Sequence, residues 1–192
     1  MDRAEALQVF ESTGALQQGH FLLTSGLHSG QYFQCALVLQ HSHLLERFCY
    51  EIYEYFMEEE PIDTVIAPAV GGIVVAVELA RRFKCRAIFA ERVDGKMTLR
   101  RGFRIKPGEK VLICEDVVTT GGSVKEVLEL VEEQGGWPIG IGVVVDRSGG
   151  ELEFDVPLHA VVETKAVVYE PDKCPLCREG KQLVKPGSRN LK

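Results

Sequence analysis

The stretch that decides the fold reads Val111-Leu112-Ile113-Cys114-Glu115-Asp116-Val117-Val118-Thr119-Thr120-Gly121-Gly122-Ser123. An apolar run with the character of a buried strand ends in two adjacent carboxylates. A turn of small residues follows, and then apolar positions recur at Val124, Val127, Leu128 and Val131 with helical spacing. Strand, acidic pair, turn and helix in series have a chemical meaning. Backbone N–H groups of a small-residue turn converge on an anion, and the helix N-terminus adds its partial positive charge. The carboxylates accept hydrogen bonds from hydroxyls. A site that holds a phosphate beside a polyol suits a ribose phosphate. A Ser/Thr-capped turn without ligand is the plainer alternative.

Outward from this run, strands and helices alternate. Thr64-Val65-Ile66-Ala67 precedes a helix over 72–83, and Ala87-Ile88-Phe89-Ala90 precedes a polar loop. Lys110 to Cys114 precedes the helix 123–134, and Pro138 to Val145 forms a further strand, with His159 to Val162 a last one. Continuous apolar strands between helices predict an α/β fold, a doubly wound, mainly parallel sheet. Ahead of it, residues 3–13 read as an amphipathic helix. Phe21–Thr24 and Tyr32–Val38 read as a strand pair, and His43 to Met57 as a helix. The tail from Pro171 to Lys192 is expected to wrap the surface.

In such sheets ligands bind beyond the carboxyl ends of the strands. Three further segments fall there. Ala67-Pro68-Ala69-Val70-Gly71-Gly72 is a second strand–turn–helix junction, where glycines allow close backbone approach. The Glu91–Arg104 segment carries Arg92, Lys96, Arg100, Arg101 and Arg104, a basic island that reads either as a solvated loop or hairpin or as a cationic lid. Asp146-Arg147 ends an apolar strand, and the planar fork of Arg147 suits a carboxylate or carbonyl edge. Tyr32 and Phe33 are either core aromatics or partners for a planar ring.

The 192 residues, 45% hydrophobic, suffice for one compact domain, and the net charge of −6 gives no global attraction to nucleic acid or anionic membranes. No apolar run is long enough to span a bilayer, and Met1-Asp2-Arg3-Ala4-Glu5 lacks a secretory core, so a cytoplasmic protein with reduced thiols is expected. Cys174-Pro175-Leu176-Cys177 is a single C-x-x-C with no second pair and no His pair nearby in sequence. Free thiols, a zinc knuckle or a site completed by another chain all stay open. His20, His28 and His41 show no acid–base context and receive no catalytic role.

The motif 111–123 resembles the PRPP-binding motif of the type I phosphoribosyltransferases, where PRPP is phosphoribosyl pyrophosphate. Nearly the whole chain, from the Phe21–Phe33 segment to Asp146-Arg147 and the Cys-Pro-Leu-Cys tail, resembles the orotate phosphoribosyltransferase family. The resemblance implies one domain over 1–192, with a small hood from about 1–40 and the tail 171–192. It implies transfer of the phosphoribosyl group from PRPP to orotate, with Mg2+, in a homodimer that shares its lid between subunits. Ala69, Val70, Gly71 and Gly72 then hold pyrophosphate. Glu115 and Asp116 contact the ribose diol, and Val117, Val118, Thr119, Thr120, Gly121, Gly122 and Ser123 line the ribose phosphate. Thr119, Arg147, Tyr32 and Phe33 face orotate. Arg92 and Lys96 act with Asp116 as catalytic groups, reaching the partner's site. No direct protein ligand to the metal is implied. Many members carry a lysine where this chain has Thr24 and another where it has Gly71. The usual Lys…His-Gly lid signature reads Lys96-Met97-Thr98-Leu99-Arg100-Arg101-Gly102, which shifts cations onto Arg100 and Arg101. A purine phosphoribosyltransferase and a non-catalytic PRPP-sensing regulator are the competing functions.

Overall fold

The computed structural model describes all residues except Asp2, Thr24, Glu60, Ala166 and 187–192. The Thr24 departure and the end of the tail therefore lie outside the described residues. The chain runs α1 (Arg3–Ser12), β1 (Leu16–Leu22), β2 (His28–Phe33), α2 (Ala36–Leu39), α3 (Ser42–Phe56), β3 (Thr64–Pro68), α4 (Gly72–Phe83), β4 (Arg86–Val93) and β5 (Lys96–Leu99). It continues with β6 (Lys110–Val118), α5 (Gly122–Glu133), β7 (Trp137–Asp146), β8 (Leu158–Glu163), β9 (Val168–Tyr169) and α6 (Pro175–Arg178). Among the described residues no helix is long and apolar enough to cross a membrane.

The main sheet has the order β5-β4-β3-β6-β7-β8. All its pairings are parallel except that of β5 with β4. The α/β expectation therefore holds. Alternation along β6 shows why its run is continuously apolar. Leu112 and Cys114 join the core that α1, α3 and α4 cover, while Val111 and Ile113 join the core under α5. A strand buried on both faces has no polar face to display. From β3 the connection through α4 leads one way to β4; from β6 the connection through α5 leads the other way to β7. The order reverses between β3 and β6, and that reversal opens a crevice at their carboxyl ends.

A second, three-stranded sheet, β1-β2-β9, forms the hood. It is antiparallel throughout, and it recruits a strand from far down the chain. One reading of this region needs correction. The strand expected through Val38 stops at Phe33, and Ala36–Leu39 is a short helix. Gln34 gives its amide to Ala15 at 2.8 Å, after which the chain leaves the sheet. A four-residue apolar run has no period by which to separate strand from helix. Of the loop and the hairpin that Glu91–Arg104 left open, the structure shows the hairpin. β4 continues to Val93 and returns as β5, with Val93 opposite Lys96. Asp94 and Gly95 both hold positive φ (49° and 84°), the conformation of a two-residue hairpin turn. Asp-Gly was the signal in the sequence that marked it.

Candidate active site

β6 extends further than its apolar run suggests. Glu115 and Asp116 lie inside the strand, which pairs with β7 as far as Val118 opposite Asp146. Its pairing with β3, by contrast, stops at Ile113. The end of β6 therefore overhangs β3, and the turn 69–72 fills the space beside the overhang. Ala69 donates its amide to Ala90 O at 2.8 Å, and the Ala69–Val70 peptide is cis. Val70 projects into solvent with 71% of its surface exposed, so its apolar side chain is not part of the core.

The two glycines of this turn are matters of space. Gly71 has helical angles that any residue adopts (φ −61°, ψ −40°), yet a Cβ there would fall onto the Asp116 carboxylate. A Cβ on Gly72 would lie 2.8 Å from Ala67 Cβ and 2.9 Å from Glu115 Oε1. The turn expected to hold pyrophosphate and the acids expected to hold the ribose thus touch each other. In place of the lysine that the resemblance led one to expect, this chain sets a carboxylate against a glycine. Asp116 is half-buried, and desolvation pushes its carboxyl above the ordinary carboxylate range, opposed by the hydrogen bond with Glu115. Glu115 is itself buried and accepts the Asp116 amide at 3.1 Å.

After Val118, which is buried, Thr119 is half-buried and Thr120 exposed. Gly121 turns the chain at φ 70° into α5, and Gly122 and Ser123 form the first helical residues. The amides of a first helical turn have no partner within the helix, so this turn offers donors to an anion. It stands next to the two carboxylates, as the order of residues required.

Arg147 follows β7 and is 4% exposed. It reaches under the hood. Nη2 donates to Gln31 O at 3.1 Å, and the guanidinium lies 5.4 Å from the centre of the Phe33 ring. Its backbone amide donates to Val118 O at 2.9 Å, tying it to the end of β6. Nε is buried and has no hydrogen-bond partner. Burial lowers the guanidinium pKa, against the pull of nearby Cys35 and Tyr32. Phe33 corrects the ring-stacking reading: it is 3% exposed, meets Phe10 edge-on at 5.3 Å, and belongs to the core. Its contribution is to carry Arg147. Tyr32 is half-buried; desolvation first, then Asp116, raises its phenol, which places it between the hood and the acids.

The basic island is partly neutralised at home. Arg92 pairs with Glu126 of α5 at 2.7 Å, and Arg101 forms a forked pair with Glu91 at 2.9 Å over the Phe89 ring. Lys96 and Arg100 are exposed. An open cleft of about 1030 Å³ lies on the other side of α5, among Glu129, Glu132, Glu153, Asp155 and Glu163. Its sign is wrong for a polyphosphate, and the rim between β3 and β6 remains the better site. A further cluster was missed in the sequence: His20, His28, Cys174 and Cys177 come together at the hood. Only the C-x-x-C signalled it, because its partners stand some 150 residues away.

Residues 38–167 match the family model of the phosphoribosyl transferase domain. The chain is 52% identical over 192 residues to an orotate phosphoribosyltransferase of Caldicellulosiruptor saccharolyticus, covering 100% of both chains. It is 52% identical over 189 residues to the one from Chlorobium phaeobacteroides, covering 98% of this chain and 97% of that one. Among solved structures, orotate phosphoribosyltransferase from Aeropyrum pernix superposes with a TM-score of 0.69 at 25% identity, covering 81% of this chain and 92% of that one. Adenine phosphoribosyltransferase from Rhodothermus marinus gives 0.65 at 25% identity, with coverage of 83% and 99%. The fold is common to both base classes and does not choose between them. The full-length identities fall on the orotate side.

Proposed function

The chain belongs to the phosphoribosyl transferase domain family, and from that premise we propose that it transfers the phosphoribosyl group of PRPP to orotate, giving orotidine monophosphate and pyrophosphate in pyrimidine synthesis. The observation that carries this reading is the meeting at one rim of the 69–72 turn, the Glu115–Asp116 pair, the α5 N-terminus and a buried Arg147 with an unpartnered Nε. Thr119–Ser123 take the 5-phosphate, Glu115 and Asp116 take the ribose diol, and Ala69–Gly72 take the pyrophosphate. The orotate carboxylate suits Arg147, whose unsatisfied buried donor costs about 1–3 kcal/mol until an acceptor arrives. Thr119 and Tyr32 border the same space.

As the bond from the ribosyl carbon to pyrophosphate stretches, positive charge grows on that carbon. The nearby carboxylates stabilise it, and the ring nitrogen of orotate closes the new bond. Orotate is already anionic, so a strong general base is not required, and the chain's task is positioning and charge stabilisation. Bound magnesium supplies charge neutralisation at pyrophosphate. Held mainly by PRPP oxygens and water, it would lie beside the carboxylates of Asp116 and Glu115, which sit against the pyrophosphate turn. The β4–β5 hairpin, with Arg92 and Lys96, is the lid, working on the partner subunit's site in a homodimer. Cytoplasmic placement and a single domain over 1–192, with hood and tail folded upon it, belong to the same proposal.

The test is spectrophotometric. Orotate absorbance should fall only when PRPP and magnesium are both present. Turnover of adenine, hypoxanthine or xanthine in place of orotate would move the chain to the purine class. PRPP binding without turnover of any base would make it a sensor.

A further inference from the structure

His20 lies in β1 and His28 in β2, and the strand register, with His28 opposite Leu22, sets them diagonally on one face of the hood. Cys174 caps the start of the short α6 in the tail, and Cys177 lies within it. Four side-chain atoms from these residues converge. His20 Nε2 is 3.0 Å from His28 Nδ1, 3.4 Å from Cys174 Sγ and 3.7 Å from Cys177 Sγ, and Cys177 Sγ is 3.4 Å from His28 Nδ1. All four ligand atoms lie within 4.8 Å of one another.

Hydrogen bonding alone does not account for this. His20 Nδ1 faces the carbonyl of Lys181 at 2.9 Å, and a carbonyl only accepts. The proton therefore sits on Nδ1, and Nε2 carries a single lone pair. That lone pair is aimed at three neighbours at once. One lone pair cannot serve an imidazole and two thiols, whereas one cation at their centre serves all four atoms. Zinc with bonds of about 2.0–2.1 Å to nitrogen and 2.3 Å to sulfur makes a tetrahedron with edges of about 3.3 Å (N to N), 3.6 Å (N to S) and 3.8 Å (S to S). The four separations given above follow that pattern within a few tenths of an ångström, and the whole set stays within 4.8 Å. The Lys181 carbonyl is the outer partner that usually orients a metal-binding imidazole.

We propose that His20, His28, Cys174 and Cys177 form a structural zinc site that fastens the C-terminal tail to the hood. Two thiolates and two imidazoles in a tetrahedron select zinc over harder cations. His20, His28 and Cys174 are 3%, 5% and 1% exposed. With all four positions filled by the chain, the site leaves no place for a substrate and is structural rather than catalytic. The tail meets the hood again close by. Leu22 and Val184 exchange a hydrogen bond at 2.9 Å, and Val184 returns one to His20 O at 2.8 Å. The zinc thus joins segments 154 residues apart along the chain.

The test uses the full-length chain, produced with zinc in the medium and exhaustively dialysed. Elemental analysis should find about one zinc per chain, as one tetrahedral site requires. Cobalt(II) exchanged into the same chain should show intense tetrahedral ligand-field bands and a thiolate charge-transfer band. Cys177→Ser changes the most exposed ligand and should lose the metal and the charge-transfer intensity. Cys85→Ser, distant from the cluster, should keep both. A strong chelator should lower the melting temperature of the wild type and leave that of Cys177→Ser unmoved. A folded wild type that binds neither zinc nor cobalt(II) overturns the proposal. So does a Cys177→Ser variant with full zinc and an unchanged cobalt spectrum. The wild-type cobalt spectrum decides the matter should the variant fail to fold.

Discussion

Arg147 and Asp116 show how a buried charge separates stability from function. Arg147→Lys keeps the charge but loses the planar fork. It should cost on the order of 1.5–3 kcal/mol of orotate recognition, or roughly a tenfold to hundredfold fall in kcat/KM for orotate. PRPP affinity measured by calorimetry should barely move, since the proposed seat of its phosphate is Thr119–Ser123. An equal loss for both ligands, with the fold intact, would remove Arg147 from the base site. Asp116 should behave in the opposite sense. Its folded pKa is raised above the ordinary Asp value of about 3.9. The folded state therefore binds its proton more tightly than the unfolded state does. Stability falls as pH climbs from the unfolded to the folded pKa, and the penalty is complete above the latter. Asp116→Asn removes that penalty. Its melting temperature should exceed that of the wild type at neutral pH and converge with it in acid, while PRPP binding weakens. A pH-independent difference in melting temperature would show that the carboxyl is not desolvated as described. The acidic pair was legible in the sequence because its neighbours on either side have such distinct character. The core role of Phe33 was not legible, because Tyr32-Phe33 at a strand end reads the same whether the rings meet a ligand or the interior.

At the scale of elements, the 69–72 turn works because two glycines leave room for two acids. Gly71→Ala meets the whole Asp116 carboxylate group, a side-chain end that can turn aside; the fold should hold, and PRPP affinity should drop. Gly72→Ala meets Ala67 Cβ and Glu115 Oε1 at 2.8 and 2.9 Å and has the Cys114 carbonyl at 3.4 Å. Overpacking of that kind costs about 1–3 kcal/mol of folding stability. Denaturant titration of the two variants separates them; equal stabilities would count against the close approach of turn and strand. The α/β alternation itself was readable, since β3, β6 and β7 are long apolar runs and α4 and α5 have clear helical periods. The β4–β5 hairpin could not be told from a loop, because Glu91 to Arg104 lacks the apolar alternation of a half-buried strand. Only the Asp94-Gly95 pair declared it, and a two-residue signal inside a charged run is easily read as solvated loop. The His20–Cys177 cluster was hidden for another reason. A strand pair and a tail become neighbours through tertiary packing, and no local period encodes that.

For the whole molecule, the assembly proposed above makes a clear demand. An inactive Asp116→Asn chain mixed with an inactive Lys96→Ala chain should regain activity, because a mixed dimer holds one site with both an intact acid and an intact lid. No recovery despite demonstrated subunit exchange would confine each lid to its own site. The sheet order has one more consequence. β6 lies between β3 and β7, and its residues Val111 to Cys114 are fully buried. β5 stands at the edge with a single neighbour and carries Lys96 at its start. The amide protons of Leu112 and Ile113 should therefore exchange with solvent deuterium only when the entire molecule opens, and their rates should respond steeply to denaturant. Those of Lys96 to Leu99 should exchange through small local openings that denaturant hardly affects. The strand that carries Glu115 and Asp116 thus keeps the slow clock of the core, and the strand that carries Lys96 keeps a fast one.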